Sequence, residues 1–191
     1  MDSLKHKIII GLVGEMGSGK DSVARYLTEK YGSQTVSFSR PLRDVLDRML
    51  IPQSRENLIW LGHDLRERFG HNVLNNVIIN EIKTSSKELF CLANIRIPED
   101  IIGIVDLPGF FLVHVKLDAQ TRYQRITQRR ENTDDHTKTW EEFLKDSELP
   151  TERRIREMAQ GAQFTITNDG GIEALHVQVD ELIDKIRAKI N

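Results

Sequence analysis

The feature that most constrains this chain is a glycine-rich loop near its N-terminus, with the sequence Gly-Glu-Met-Gly-Ser-Gly-Lys-Asp at residues 14–21. The loop follows an apolar run, Ile8–Val13, and precedes a segment with helical periodicity. The spacing G-x-x-x-x-G-K is that of a phosphate-binding loop, whose backbone N–H groups form a nest for anions. The following helix adds its positive dipole end, and Lys20 adds a charge for the β- and γ-phosphates. The sequence therefore predicts a phosphate site between a buried strand and a helix.

One position of the loop departs from the usual pattern. Where Ser or Thr normally meets Mg²⁺, this chain has Asp21. A carboxylate is a good ligand for this hard cation, so we predict that Asp21 contacts Mg²⁺ directly or through water. The hydroxyl of Ser22 cannot simply substitute, because one step along a helix rotates the side chain by about 100°.

Length, charge and cysteine content narrow the class of protein. A chain of 191 residues suits one well-buried domain. The net charge of −2 gives no electrostatic footprint for duplex nucleic acid, so we expect no nucleic-acid partner. The single cysteine, Cys91, leaves no internal disulfide and fits a reducing compartment. No apolar stretch has membrane-spanning length and residues 1–7 lack a signal-peptide core, so we expect a cytoplasmic protein without a membrane partner. We expect the protein to be a monomer or a homodimer.

Strand and helix patterns alternate along the whole chain. The predicted strands are 7–13, 35–38, 89–95, 110–116 and 163–167. The predicted helices are 21–31, 41–50, 54–69, 73–83, 98–105, a long polar region 119–160, and 172–189. This alternation is typical of strands joined by right-handed crossovers. We therefore predict an α/β fold with a five-stranded parallel sheet.

Two helices between the second and third strands carry apolar stripes that are predicted to face the core. The first begins with Pro41 at its first position, and the second is capped by Ser54 and ended by Gly70. Their stripes are Leu42, Val45, Leu46, Met49 and Leu50, then Leu58, Leu61, Leu65 and Phe69. Trp60 lies on the second helix, where it either stacks on a bound base or packs beneath the segment. Trp140, Phe143 and Leu144 are predicted to form a small apolar face of their own.

The chain has 16 arginines against 11 lysines, concentrated after the second and fourth predicted strands. Phosphoryl transfer favours planar, bidentate donors around the acceptor phosphate and around the group in transfer. Ligands of α/β folds bind at the carboxyl ends of the strands. Position therefore favours a functional role for Arg43, Arg66, Arg96 and Arg129. Arg48, Arg55, Arg122 and Arg187 are expected to be solvated charges on helix faces.

Five short motifs, taken in order, resemble those of P-loop nucleoside monophosphate kinases. They are the loop with G-K-D, Ser37–Arg43, Asp64–Arg66, Asn94–Arg96 and Asn168–Gly170. The chain looks most like the deoxynucleoside monophosphate kinase, archaeal adenylate kinase-like and dephospho-CoA kinase-like proteins. The resemblance covers essentially the whole chain and implies a three-layer P-loop fold in one domain, 1–191. Its core would be 1–36, 87–125 and 158–191, with a helical acceptor-binding segment, 37–86, and a helical lid, 126–157.

The resemblance also implies roles for individual residues. Arg43 and Arg66 would hold the phosphate of the acceptor, and Arg96 would reach toward it. Arg125, Arg129 and one of Arg153, Arg154 or Arg156 would close from the lid. The implied catalytic set is Lys20, Arg43, Arg66, Arg96, Arg125 and Arg129. The implied nucleotide-binding set is Gly14, Glu15, Met16, Gly17, Ser18, Gly19, Lys20, Asp21, Ser22, Asn168 and Gly170, with the turn 168–171 beside the adenine.

The implied function is transfer of the γ-phosphoryl group of ATP, with Mg²⁺, to a nucleoside or deoxynucleoside monophosphate. A dephospho-CoA kinase-like activity is the alternative within the same class. One departure favours a third reading, because the acid that relatives carry at the end of the third strand is Ala93 here. Asn94 or Asp21 would then compensate, or the chain would be a regulator that binds ATP without turnover. The full arginine complement argues against the regulator.

Overall fold

The computed structural model describes residues 4, 6–129 and 138–190, with the side chain of Arg129 excepted. Its centre is one sheet in the order β2-β3-β1-β4-β5. The strands are β1 (Ile8–Val13), β2 (Gln34–Val36), β3 (Leu89–Leu92), β4 (Phe110–Lys116) and β5 (Phe164–Thr167). Every neighbouring pair of strands is parallel, as the alternation of strand and helix patterns predicts.

The helices surround this sheet in chain order. They are α1 (Lys20–Tyr31), α2 (Ser39–Arg48), α3 (Arg55–Phe69), α4 (Val73–Thr84), a 3-10 helix (Pro98–Ile101), α5 (Ala119–Arg129), α6 (Trp140–Ser147), α7 (Pro150–Gln160) and α8 (Ile172–Ile190). The predicted cap of α3 is confirmed, since the Ser54 hydroxyl accepts a hydrogen bond from the Asn57 N–H at 3.1 Å. The predicted helix 98–105 is wrong beyond Ile101, where the backbone continues as turns.

Two further boundaries differ from the predictions. Helix α2 begins at Ser39, so Pro41 is its third residue rather than its first. Proline is still tolerated there, because the N–H groups of the first turn have no partner within the helix. The polar region 119–160 forms three helices, and part of the predicted lid, 130–137, lies outside the described residues.

Two apolar clusters cover the two faces of the sheet and make three layers. On one face, Ile10 and Leu12 of β1 pack with residues of α1 and α8 such as Leu27 and Ile183. On the other face, Ile9 and Val13 pack with residues of α4 and α7, which are Ile78, Ile82, Ile155 and Met158. The period of two along β1 sends alternate side chains to opposite faces, so a strand buried on both sides must be apolar throughout.

The prediction that α2 and α3 bury full apolar stripes is wrong. Leu42 and Leu46 of α2 are buried, but Met49 is 64% exposed and Leu50 is 92% exposed. On α3 the one buried residue is Gly62, and Phe69 is 65% exposed. The two helices pack on each other beside the sheet, and their inner side chains form the wall of a cavity.

Within the described ranges, no helix combines the length and the apolar character that a bilayer crossing demands.

Candidate active site

The glycine-rich loop turns over the carboxyl end of β1 and leads directly into α1. Gly17 and Gly19 have φ values of 80° and 97°, the left-handed region that glycine adopts most easily. A Cβ atom on Gly14 would lie 2.5 Å from the Val115 carbonyl oxygen, and one on Gly19 would collide with the Asn168 amide. The loop is therefore pressed between β4 and the end of β5, which fixes its backbone before any anion arrives.

Lys20 folds back over this loop. Its ammonium donates to the carbonyl oxygens of Gly14, at 2.5 Å, and Glu15, at 3.3 Å. Burial lowers the pKa of Lys20 below its ordinary value, and the nearby Asp21 and Glu152 carboxylates partly oppose that shift. The charge sits where the motif predicts, at the mouth of the backbone nest.

A cavity of about 810 Å³, here called the loop cavity, opens above the loop. Its lining contains most of the predicted nucleotide-binding residues. It also contains four arginines and, from α7, one acid. The lining includes Gly14, Met16, Gly17, Gly19, Lys20, Asp21, Ser22, Arg25, Arg55, Arg96, Arg125, Glu152, Asn168 and Gly170. Ser18 is only 1% exposed and is absent from this lining.

The carboxylate of Glu152, in the first turn of α7, occupies part of this nest. Its Oε2 accepts a hydrogen bond from the Met16 N–H at 3.1 Å. A carboxylate is a small anion with two acceptor oxygens, so the contact demonstrates the electrostatic preference of the loop. A phosphate that binds to the same N–H must displace Glu152.

The side chain of Glu15 turns away from the loop cavity and pairs with two arginines instead. Its Oε1 lies 3.1 Å from Arg122 of α5 and 3.1 Å from Arg156 of α7. Arg122 is only 4% exposed, and its guanidinium also contacts the Phe143 ring at 5.3 Å. The expectation of a solvated Arg122 is therefore wrong. Arg122 lies four residues before the apolar Ile126 and so on the same helix face, and this spacing could have indicated that Arg122 is buried.

Arg125 and Asn168 join the loop to the end of β5. Arg125 donates to the Asn168 carbonyl oxygen at 3.0 Å. The buried Asn168 amide donates to the Ser18 carbonyl oxygen at 2.8 Å. Asn168 thus fixes the loop through its side chain, and both residues line the loop cavity as the sequence predicts.

The other two arginines of α7 pair with acids outside the loop. Arg154 forms two hydrogen bonds with the Glu99 carboxylate, at 2.5 and 2.8 Å, and Arg153 pairs with Glu148 at 3.1 Å. Arg156 is therefore the member of this group that reaches the loop, through Glu15. The side chain of Arg129 lies outside the described residues.

A second cavity of about 560 Å³, here called the helix cavity, lies between α2, α3, α4 and the residues after β3. Its floor is apolar, and its polar groups include three arginines, two histidines and two acids. The lining comprises Ser37, Phe38, Ser39, Leu42, Arg55, Leu58, Ile59, His63, Arg66, Glu67, His71, Leu74, Asn94, Arg96 and Asp100. Arg55, Asn94 and Arg96 line both cavities, so the two spaces meet at these residues.

Asp100 holds the backbone beside Arg96. Its Oδ2 accepts from the N–H groups of Arg96, at 2.9 Å, and Ile97, at 3.1 Å. Burial raises the pKa of the Asp100 carboxyl, although the two N–H bonds and Arg66 oppose the shift. Asp100 was not singled out by sequence reasoning, because it follows Pro98 and Glu99 in what looks like an ordinary helix start.

The predicted acceptor arginines separate in the structure. Arg66 lines the helix cavity and donates to the Gly62 carbonyl oxygen at 3.2 Å. Arg43 is exposed and donates to Gln53 at 3.2 Å, and it is absent from the described linings of both cavities. Arg48, Arg55 and Arg187 are exposed as predicted, and Arg55 also lines both cavities.

The donor groups near the loop suit a magnesium ion that is carried on phosphates. Among the described residues, no three His, Cys, Asp or Glu side chains form a metal cluster. Asp21 is exposed at the loop cavity, while Ala93 is buried at 5% exposure. Mg²⁺ usually takes one or two carboxylates and fills its shell with phosphate oxygens and water. Asp21 fits that single-carboxylate role.

The chain matches no family model, but it is similar to curated proteins over nearly its whole length. A UPF0200 protein from Methanothermobacter thermautotrophicus is 25% identical over 190 residues, which covers 95% of this chain and 92% of that protein. A dephospho-CoA kinase from Corynebacterium glutamicum is 23% identical over 209 residues, which covers 95% of this chain and 98% of that enzyme.

Solved structures show the same fold at low sequence identity. The TT1252 protein of Thermus thermophilus has a TM-score of 0.62 at 19% identity, covering 94% of this chain and 98% of that one. A shikimate kinase from Bacteroides thetaiotaomicron has a TM-score of 0.57 at 13% identity, covering 93% and 98%. A dephospho-CoA kinase from Campylobacter jejuni has a TM-score of 0.53 at 16% identity, covering 95% and 98%.

The fold and the loop together define the class of this protein, which has the kinase-like P-loop fold. Its glycine-rich loop lies at the carboxyl edge of a five-stranded parallel sheet. The comparisons also confirm the resemblance that the sequence motifs indicate, to the nucleoside monophosphate kinase-like group of P-loop proteins.

Proposed function

We propose that this protein transfers the γ-phosphoryl group of ATP to a small acceptor that already carries a phosphate. The first candidate acceptor is a nucleoside or deoxynucleoside monophosphate. The observation that carries the proposal is the junction of two cavities, one over the phosphate loop and one with arginines above an apolar floor. The apolar floor suits a base, and the arginines suit a phosphate.

The loop cavity would bind the donor. The loop N–H groups and Lys20 would hold the β- and γ-phosphates, with Arg25 and Arg125 at the edge of the same cavity. Asp21 would orient the hydrated Mg²⁺ that neutralises the triphosphate. The turn at Asn168 and Gly170 would lie beside the adenine.

The helix cavity would bind the acceptor. Arg66 would hold its phosphate, and Arg96 would lie between that phosphate and the donor. An acceptor phosphate oxygen forms a bond to the γ-phosphorus as the bond to the β-phosphate oxygen breaks, so the products are ADP and a diphosphate. The residues act by positioning and charge neutralisation, without a covalent intermediate.

We also propose the division of the chain that the resemblance implies. Residues 37–86 would form the acceptor-binding segment, and 126–157 the lid. The contacts of Glu152 and Arg156 with the loop residues Met16 and Glu15 support a lid that docks over the donor phosphates. Closure would exclude water and so limit wasteful hydrolysis of ATP.

A second candidate is transfer to the hydroxyl of a longer acceptor such as dephospho-CoA. Two observations favour it: the similarity to the Corynebacterium glutamicum enzyme, and a groove that extends the helix cavity. That groove, of about 640 Å³, shares Arg55, Ile59 and His63 with the helix cavity and continues to Trp60. It offers further apolar contacts, from Ile59 and Trp60, to a longer acceptor.

A coupled assay of ADP release over a panel of acceptors tests the proposal. The panel contains the ribo- and deoxyribonucleoside monophosphates and dephospho-CoA, each with ATP and Mg²⁺. The expected result is release that depends on one monophosphate and disappears in Lys20→Ala. Release with dephospho-CoA alone would select the second candidate. ATP binding by calorimetry without release on any acceptor would select the non-catalytic regulator.

A further inference from the structure

We propose that Arg55 is a catalytic residue that contacts the phosphoryl group during its transfer, an inference that rests on the proposed function. Arg55 is the first residue of α3, and its side chain lines both the loop cavity and the helix cavity. The loop cavity also contains Lys20 and Asp21, whereas the helix cavity contains Arg66. A group that moves from one cavity to the other must pass the residues that line both.

Only two other described residues line both cavities, Asn94 and Arg96. Both follow β3 in the sequence. Arg55 comes from a different element, as the first residue of α3. The junction is thus lined by guanidiniums from two separate elements, and two such groups suit a planar phosphoryl group with charge on its equatorial oxygens.

The guanidinium of Arg55 is also free to bind an anion. Within the described residues, it has no hydrogen-bond or ion-pair partner, and neither has the guanidinium of Arg96. The arginines that support the protein are paired, such as Arg122 with Glu15 and Arg154 with Glu99. A paired arginine would have to break an internal contact before it could neutralise a substrate, whereas Arg55 would not.

Arg55 further supplies a charge that Arg43 does not. Both arginines are exposed, but the Arg43 guanidinium donates to Gln53 at 3.2 Å and no described cavity lining contains Arg43. Arg55 and Arg96 would neutralise charge at the junction. Arg66 would then bind the phosphate that the acceptor already carries. The reaction balance is unchanged, since Arg55 neither gains nor loses a proton and contributes only hydrogen bonds and charge.

The decisive variants are Arg55→Ala and Arg55→Lys, with Arg68→Ala as the matched control on the same helix. Arg68 is exposed and absent from the described linings of both cavities. We expect Arg55→Ala to lower kcat by about 100-fold or more, as removal of an arginine at a transferring phosphoryl group does. Arg55→Lys should recover part of that loss, because the charge remains but the bidentate geometry is lost. The dissociation constant of ATP should change by less than about twofold, because the loop holds the donor.

A binding measurement keeps the test decisive when no acceptor in the panel is turned over. The probe is P1,P5-di(adenosine-5′) pentaphosphate, whose phosphate chain can span both cavities, measured by calorimetry beside ATP. We expect Arg55→Ala to weaken pentaphosphate binding by about tenfold and ATP binding hardly at all. Equal losses for Arg55→Ala and Arg68→Ala, or no loss in either assay, would overturn the role of Arg55. Pentaphosphate binding no tighter than ATP binding in the wild type would also overturn it. Wild-type protein that binds no ATP would instead refute the proposed function itself.

Discussion

The loop cavity and the helix cavity are built in opposite ways. The loop cavity is based on one short motif whose polar groups are already bonded within the protein, as with Lys20 to Gly14 and Met16 to Glu152. The helix cavity is assembled from four separate segments, and its two arginines without a partner among the described residues, Arg55 and Arg96, line it where it meets the loop cavity. Under the proposed function, donor binding would therefore be a fixed property of the fold, whereas acceptor choice would depend on how α2 and α3 are placed.

The largest expected effect is a loss of ATP affinity with no change at the acceptor site. Lys20→Ala removes a half-buried ammonium that would bond to phosphate oxygens, a loss of about 2–3 kcal/mol. ATP affinity should therefore fall roughly 100-fold, measured by calorimetry with Mg²⁺ present. Lys185→Ala, an exposed lysine of α8, is the control and should leave affinity unchanged. A weak effect of Lys20→Ala would mean that the N–H groups alone hold the donor.

The next effect should fall on the acceptor side alone. Arg66→Ala removes a guanidinium from the helix cavity, so we expect the acceptor KM to rise about 30-fold while the ATP dissociation constant stays within about twofold. Steady-state kinetics with each substrate varied in turn separates the two constants. A parallel loss of ATP affinity would show that the two cavities are not independent.

Glu152→Gln should act in the opposite direction and strengthen donor binding. The carboxylate competes with phosphate for the Met16 N–H, and the neutral amide competes less well. We expect ATP affinity to rise about fivefold, a gain of about 1 kcal/mol for a half-buried charged bond. Glu157→Gln, on the exposed side of α7, controls for the change in net charge. Weaker binding in Glu152→Gln would show that this acid assists the donor.

The smallest effect concerns stability and its dependence on pH. Burial raises the pKa of Asp100, so the folded state binds this proton more tightly than the unfolded state does. The contribution of Asp100 to stability is therefore present below about pH 4 and is lost as the pH rises through the raised pKa. Asp100→Asn cannot titrate, so the wild type should lose stability relative to this variant over that range in urea unfolding. The opposite slope would mean that the N–H bonds of Arg96 and Ile97 outweigh burial.

The sheet and the phosphate loop could be predicted from local sequence. The loop requires glycine at its two left-handed positions and at Gly14, where the backbone lies close to β4. Because these glycines lie within one short stretch, the loop can be recognised from local sequence. Strand β4 was predicted at both ends, and β1 within one residue, because buried strands flanked by turns give a clear pattern.

The helix cavity could not be predicted in the same way. The apolar stripes of α2 and α3 have helical spacing. Periodicity shows which face of a helix is apolar, but it does not show which element packs against that face. Here these helices face each other and a cavity, so Met49 and Phe69 remain exposed. Arg122 was misjudged for a related reason, and the position of the exposed Arg55 at the two cavities was missed. Whether a charged side chain enters a cavity or an ion pair depends on segments distant in sequence, such as Glu15 for Arg122.

The placement of the two tryptophans has a practical consequence. Trp60 is 50% exposed in the groove beside the helix cavity, so of its two predicted alternatives, packing beneath the segment is not the one observed. Trp140 lies within the part of the chain assigned to the lid, with its ring stacked on Phe143 at 5.4 Å and edge-on to Tyr123 at 5.3 Å. Each of these two regions thus contains one of the two tryptophans, in a different environment. Replacing either with Phe would let stopped-flow fluorescence time donor-linked and acceptor-linked movements separately, without any attached dye.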